Sequence, residues 1–281
     1  MPRWKPRRPK RPKSERIQRR KEAMRRGIFL IPSIFTTLGL FFGFMSIIRS
    51  FEGRYQEAAL SIMVAAIFDF LDGYIARLTR ASSEFGVQYD SLADLVAFGL
   101  APGILAYTWA LHPFGRIGWL ATFLYFACAT LRLARYNVQS QDIEKNYFQG
   151  LPTTAAGMLL AAWVVFHYYL TEKFQIDPEM KHLSVVIVVY GLAFLMVSNF
   201  RYVNLKKLGI GERHPFQYLV IGVLVFIVIA SKPFLFLFPM ASLYAALGPL
   251  GFIVFYKRRK REKLKAQSAS EEFSHGFNKN L

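Results

Sequence analysis

The sequence predicts an all-α fold: a polytopic bundle of about eight transmembrane helices with polar ends. Hydrophobic residues make up 53% of the 281 and aromatic residues 16%, too apolar for a typical soluble domain. Eight apolar segments can be drawn, at roughly 31–48, 58–79, 92–111, 117–136, 152–170, 183–200, 217–237 and 240–256. Most approach the roughly 20 residues a spanning helix needs. The net charge of +18 is gathered at the two ends of the chain.

Taken in order, residues 1–26 carry 13 Lys/Arg against Glu15 and Glu22. Their opening phrase "MPRWKPRRPKRPK" is Pro-rich and nearly free of apolar side chains, so a disordered, cytoplasmic tail is expected. No small-residue cleavage site follows the first apolar run, which argues against a secretory leader. One membrane domain is expected over 27–256. Pro and charge mark its joints: "HPFGR" at 112–116, "EKFQIDPEMK" at 172–181 and "GERHP" at 211–215. "SKPFLFLFPMAS" either separates the last two segments by a tight turn or joins them in a longer apolar hairpin. A second basic tail, 257–281, opens with "KRRKREKLK", which holds 7 Lys/Arg against Glu262.

Charge orients the bundle. With the N-terminus in the cytoplasm, the outward connections hold only Arg49, Arg54, Arg116, Lys173, Lys181 and Lys232. The inward side holds both tails and residues such as Arg77, Arg80, Arg132, Arg135, Lys206 and Lys207. Both termini are therefore expected to be cytoplasmic, in a multi-pass protein of the cell membrane. The basic tails suit anionic membrane lipids, at about 1 kcal/mol per basic residue near the surface. A basic run alone is weak support for nucleic-acid binding, and no nucleic-acid partner is expected. The single cysteine, Cys128, excludes an intramolecular disulfide and reads as a small buried apolar residue.

The stretch "FDFLDGYIAR" at 68–77 breaks this apolar pattern. Asp69 and Asp72 are three residues apart, and downstream Asp90 and Asp94 are four apart. Each pair shares one face of a helix. The linker between the two helices, about 80–89, is short enough to make them antiparallel neighbours. Four carboxylates then converge at the membrane–cytoplasm boundary, where they repel one another. Hard divalent cations, Mg²⁺ or Mn²⁺, are the natural compensation for an all-oxygen ligand set. A metal pair there suits phosphoryl chemistry. Salt bridges from Asp69 or Asp72 to Arg77 or Arg80 could explain one pair, but not four aspartates on two adjacent faces. An ion-coupled transporter is the third reading, because intramembrane acids mark ion paths. Gly73 and Gly86 permit close approach of backbone or ligand. Arg77 lies eight residues after Asp69 and can hold a phosphate.

In order, Asp69-x2-Asp72-Gly73-x2-Ala76-Arg77-x8-Gly86-x3-Asp90-x3-Asp94 resembles the complete signature of the CDP-alcohol phosphotransferases. "SLADLVAFGLAPG" (91–103), "LRLARYN" (131–137), "FQGLP" (148–152) and "MVSNFRY" (196–202) are similar to the bacterial and archaeal type of phosphatidylserine synthase within that family. "IPSIFTT" at 31–37 departs from it. Ser33 stands where relatives have Asn in Pro-Asn-x-x-Thr, so a nucleotide contact from the first helix does not follow.

The resemblance implies transfer of a phosphatidyl group from CDP-diacylglycerol to L-serine with release of CMP. It implies two divalent cations held by Asp69, Asp72, Asp90 and Asp94, with Asp94 also the base for the acceptor hydroxyl. Gly73, Arg77 and Ser83 would contact the CDP part, Ala76 would leave room for it, and Gly86 belongs to the same donor site. A homodimer is implied as well. Serine brings a carboxylate, and Arg132 and Arg135, with Asn137 beside them, are candidates to hold it or the donor phosphates. Arginines snorkelling from a helix end are the plain alternative. Thr153 and Thr154 are weaker candidates, and His112 and His167 read as packing or interfacial residues. Another acceptor alcohol, such as glycerol 3-phosphate or inositol phosphate, stays open, as does a membrane scaffold.

Overall fold

The structure is a computed structural model that describes residues 13–79, 83–139, 147–174, 181–203 and 235–251. Helix α1 spans Lys13–Phe51 and α2 spans Tyr55–Thr79. A third rod runs from Glu84 to Phe114, opening as α3 (Glu84–Asp94). It widens into a π-helical turn over Leu95–Leu100, returns to α-helix as α4 (Ala101–Ala106), and widens again over Tyr107–Leu111. Next come α5 (Arg116–Gln139), α6 (Thr153–Phe174), α7 (Lys181–Val197) and α8 (Leu235–Gly251). Two three-residue strands, β1 (Tyr147–Gln149) and β2 (Arg201–Val203), pair antiparallel with Phe148 opposite Tyr202. Among the described residues, the fold is thus helical apart from this one small ladder.

The bundle is small inside and large outside. Its buried centre is rich in alanine, including Ala58, Ala59, Ala65, Ala97, Ala101, Ala121, Ala129, Ala156 and Ala161. Bulky Phe44, Ile67, Phe70, Phe123, Leu131, Ile187 and Phe194 are more than half exposed. A water-soluble core would reverse that order. In lipid there is no hydrophobic gain from hiding a phenylalanine, and small residues let helix backbones approach. Gly43 shows how closely: a Cβ there would lie 2.7 Å from Ala97 Cα, so α1 crosses the π-turn nearly backbone to backbone. At the far end of α1 and α2, Glu57 is paired with Arg49 and with Arg54, the latter at 2.6 Å. Those ion pairs staple the three-residue turn between the helices.

Among the described residues, five helices are long and apolar enough to cross a membrane, beginning with Pro32–Phe51 and Tyr55–Thr79. Leu183–Val197 and Leu235–Gly251 are shorter apolar helices. Among the described residues, then, the expected eight spans become five with two shorter companions, and most of 217–237 lies outside them. The connection expected near 232 lies outside the described residues, and α8 runs unbroken through Pro239.

Two other expectations are corrected. Residues 13–26 are not a disordered tail but the first turns of α1. No Gly or Pro interrupts 14–26, and Glu15/Arg19 and Glu22/Arg26 have the i,i+4 spacing that favours helix. Residues 1–12 and 252–281 lie outside the described residues. The linker expected over 80–89 also shrinks, because α3 begins at Glu84. Ser83 is its N-cap, accepting a hydrogen bond from the Gly86 N–H at 3.0 Å. Asp90 is therefore well inside a helix.

Candidate active site

Three helices build the site. Helix α2 carries Asp69 and Asp72 on one face, and α3 carries Asp90 and Asp94 on the face opposite. Helix α1 closes the third side. Asp69, Asp72 and Asp90 each offer a carboxylate oxygen within 4.8 Å of the other two. Asp94 lies one turn below Asp90. All four line a narrow gap whose walls include the small residues Gly39, Ala65, Ala93 and Ala97. The sequence-predicted quartet is thus brought together. Three like charges at this spacing, with oxygen donors only, fit a hard divalent cation. Metal ions would be held by Asp69, Asp72 and Asp90, with Asp94 adjoining.

Above the carboxylates opens a cleft of about 100 Å³. Gly73, Ala76, Ser83 and Gly86 line it together with Asp72 and Asp90. Four of the predicted donor-site residues therefore face one space. Arg77 is absent from that lining. Its guanidinium lies back against α2, with Nη1 3.3 Å from the position a Gly73 Cβ would take. Gly73 is the gap into which the arginine folds.

The remaining predicted residues part company. Arg132 Nη1 donates to Thr153 Oγ1 at 2.8 Å, and the guanidinium sits over the Tyr136 ring at 5.7 Å. Its Nε is buried and makes no hydrogen bond. Asp94 and Asp69 are within electrostatic range of it. Arg135 turns away, donating to the Val197 carbonyl at 3.2 Å and to Asn199 Oδ1 at 3.3 Å. Asn137 Nδ2 donates to the Ser91 hydroxyl at 2.9 Å, tying α5 to α3 beside Asp90. His167 packs edge-on against Trp109, remote from the carboxylates, and Cys128 is buried, as expected of both.

Sequence reasoning missed four features. Thr36, buried, donates to the Pro32 carbonyl at 3.2 Å and sits beside the Asp72 carboxylate. It lines the cleft together with Pro32 and Ser33, so α1 forms a wall of the site. Its signal was the "IPSIFTT" phrase itself. Thr37 and Tyr89 share a hydrogen bond of 2.9 Å that links α1 to α3. The π-turn after Asp94 was also missed. Pro102 has no N–H to offer the Phe98 carbonyl four residues earlier, and Tyr125 Oη donates to that carbonyl at 3.0 Å. Such wide turns cluster at functional sites.

Gly150 is the fourth. It adopts φ +77 with its N–H donating to the Phe200 carbonyl at 2.9 Å, and the Met196 carbonyl occupies the place of a Cβ. Only glycine serves there. This turn leads β1 into α6 and so sets Thr153 against Arg132.

A family model of CDP-alcohol phosphatidyltransferases matches residues 29–197. Among curated proteins, a CDP-diacylglycerol–serine O-phosphatidyltransferase of Helicobacter pylori is 37% identical over 182 residues, 64% of this chain and 74% of the relative. A Bacillus subtilis protein of the same name is 33% identical over 177 residues, 63% of this chain and 92% of the relative. An archaetidylserine synthase of Methanothermobacter thermautotrophicus is 33% identical over 181 residues, 64% and 72% of the two chains.

Proposed function

Since the chain belongs to the CDP-alcohol phosphatidyltransferase family, we propose that it transfers the phosphatidyl group of CDP-diacylglycerol to L-serine, releasing CMP. Support for serine comes from the names of the Helicobacter and Bacillus relatives, both serine O-phosphatidyltransferases. One observation carries the chemistry: three carboxylates within 4.8 Å beneath an open cleft, with a fourth acid adjoining them.

The donor's acyl chains stay in hydrocarbon while its CDP head and serine come from water, so a boundary site serves both. We place that boundary at the cytoplasmic face of the cell membrane, with both termini on that side. Gly73, Ala76, Ser83 and Gly86 bound the space for the CDP part, and Arg77 swings from Gly73 to its phosphates. Arg132, steadied by Thr153, receives the serine carboxylate. Arg135 and Asn137 brace this half of the site through the 197–199 loop and Ser91.

The serine hydroxyl attacks the phosphatidyl phosphorus, and the bond from that phosphorus to the CMP oxygen breaks. Asp94 takes the hydroxyl proton at a carboxylate oxygen as the new P–O bond forms. Two divalent cations, Mg²⁺ or Mn²⁺, when bound to the aspartates, supply positive charge for the pyrophosphate and the departing CMP. A homodimer surrounded by anionic lipids completes the proposal.

The test is competition between acceptors. Purified protein in mixed micelles receives CDP-diacylglycerol with serine, glycerol 3-phosphate and inositol phosphate together, and mass spectrometry identifies the lipid product. Phosphatidylserine with equimolar CMP is expected. A different phospholipid would reassign the acceptor, and no CMP would remove the transferase reading.

A further inference from the structure

Helix α1 crosses the third rod at Gly43, where an added Cβ would lie 2.7 Å from Ala97 Cα. Nearer the cleft the contact is of another kind, a hydrogen bond of 2.9 Å between Tyr89 Oη and Thr37 Oγ1. Thr37 is six residues from Gly43, and Tyr89 is eight from Ala97. At 1.5 Å of rise per residue, the bond lies about 9–12 Å from the crossing. The crossing is a pivot, and the bond joins the two arms at the level of the cleft. Ser33 and Thr36 line the cleft on one arm, Gly86 and Asp90 on the other.

The bond is prepared from both sides. Thr37 donates its single hydroxyl proton to the Ser33 carbonyl at 2.7 Å, so the phenol of Tyr89 is the donor and Thr37 Oγ1 the acceptor. The Tyr89 ring stacks on Phe85 one turn earlier, with centroids 5.9 Å apart and planes 8° apart. That stacking fixes the direction in which the phenol points. Elsewhere on α3, Ser91 is held by Asn137 Nδ2 at 2.9 Å, which anchors the helix beside Asp90 independently of α1.

We propose that Tyr89 is a positioning residue whose bond to Thr37 sets the width of the cleft and so its grip on the donor. This rests on the reading that the cleft receives the CDP part of CDP-diacylglycerol. Neither Tyr89 nor Thr37 is among the residues lining the cleft, so both act through their neighbours. With α3 anchored at Ser91, loss of the bond lets the α1 wall swing about the crossing while the carboxylates keep their places. Donor binding should weaken, and serine binding and turnover should not.

The test uses the full chain in lipid–detergent micelles, with CMP release measured against the donor at saturating serine and against serine at saturating donor. Tyr89→Phe keeps the ring and its stacking on Phe85 but removes the donor. Thr37→Val keeps the branched shape but removes the acceptor. Each should raise the donor KM about fivefold, the loss of one ordinary hydrogen bond. The double variant should be no worse than either single one, because both remove the same bond. kcat and the serine KM should move less than twofold throughout, and Thr37→Ser, which keeps the hydroxyl, should retain the wild-type donor KM. Ala76→Leu, run in parallel, fills the cleft itself and should raise the donor KM at least as much. If it does so while Tyr89→Phe and Thr37→Val stay within twofold of wild type, the role of Tyr89 is overturned and the donor cleft stands. If Ala76→Leu leaves the donor KM unchanged, the reading of the cleft has failed and the proposal goes with it. Additive effects in the double variant, or a fall in kcat and melting temperature in Tyr89→Phe, would also overturn it, marking the bond as merely structural.

Discussion

Replacing Asp90 by asparagine should make the metal-free protein more stable while destroying its activity. The three carboxylates of Asp69, Asp72 and Asp90 have oxygens within 4.8 Å of one another. Two unit charges at that distance repel by about 3.5 kcal/mol at an effective dielectric of about 20. Asp90→Asn removes two of the three repulsions, about 7 kcal/mol for a fully ionised, unscreened site. The open cleft and mobile counter-ions reduce this. If a fifth survives, roughly 1.4 kcal/mol, the melting temperature rises by about 3–6 °C.

Thermal unfolding in detergent with a chelator reads the effect directly. Adding Mg²⁺ or Mn²⁺ then gives the opposite ranking. The wild type gains about 2.7 kcal/mol at a metal concentration near 100 times Kd, and the variant, lacking one ligand, gains much less. CMP release should be lost in the variant at every metal concentration. A variant that melts below the wild type in chelator would refute the reasoning. So would a wild type indifferent to divalent ions, since the carboxylates would then be balanced by protein groups.

Asp94→Asn keeps the shape of the side chain but cannot accept a proton, so CMP release should fall by about 10²–10⁴-fold with the melting curve intact; near-normal turnover would remove Asp94 as the base. Tyr125→Phe strips the donor from the buried Phe98 carbonyl and should cost about 1–3 kcal/mol in thermal unfolding. Adding Pro102→Ala should recover part of that loss, because a backbone N–H returns four residues after Phe98; a further loss in the double variant would show that the carbonyl was not short of a donor. Gly43→Ala sets a Cβ 2.7 Å from Ala97 Cα and 2.9 Å from its Cβ, so α1 and the π-turn must separate. A cost of about 1–3 kcal/mol is expected, with reduced CMP release as Asp94 shifts from its partners. Unchanged melting and turnover would mean that the crossing yields freely.

The four aspartates were legible because their positions obey one local rule. Residues three or four apart share a helix face, and a short connection makes the two helices neighbours whose acidic faces can meet. Features that depend on two distant segments were not legible. The start of α3 is one: "RASSEFG" is polar with a glycine, which reads as a loop until Ser83 is seen to cap it. The π-turn is another, since Pro102 and Tyr125, the residue whose hydroxyl meets the Phe98 carbonyl, lie on different helices. Hydropathy also cannot tell which apolar residue faces inward, because alanine at 65 and phenylalanine at 70 score alike as membrane residues while one is buried and the other exposed.

The phrases that resembled a serine-type enzyme turn out to be in contact. Ser91 meets Asn137, Arg135 meets Val197 and Asn199, and Phe148 pairs with Tyr202. They read as separate phrases in the chain and form one connected wall in the fold. Arg132 and Arg135 show what such a wall adds to spacing. Three residues apart on α5, they share a face, and spacing alone does not rank them. The difference lies in what opposes each. A strand-linked loop offers Arg135 a carbonyl and an amide oxygen, partners that use its donors. Arg132 meets one hydroxyl and one ring, with Asp94 in range and Nε still without a hydrogen bond. A half-buried cation with donors to spare is the ground for proposing Arg132 over Arg135 as the seat for a carboxylate, and no count of residues along α5 could have separated the two.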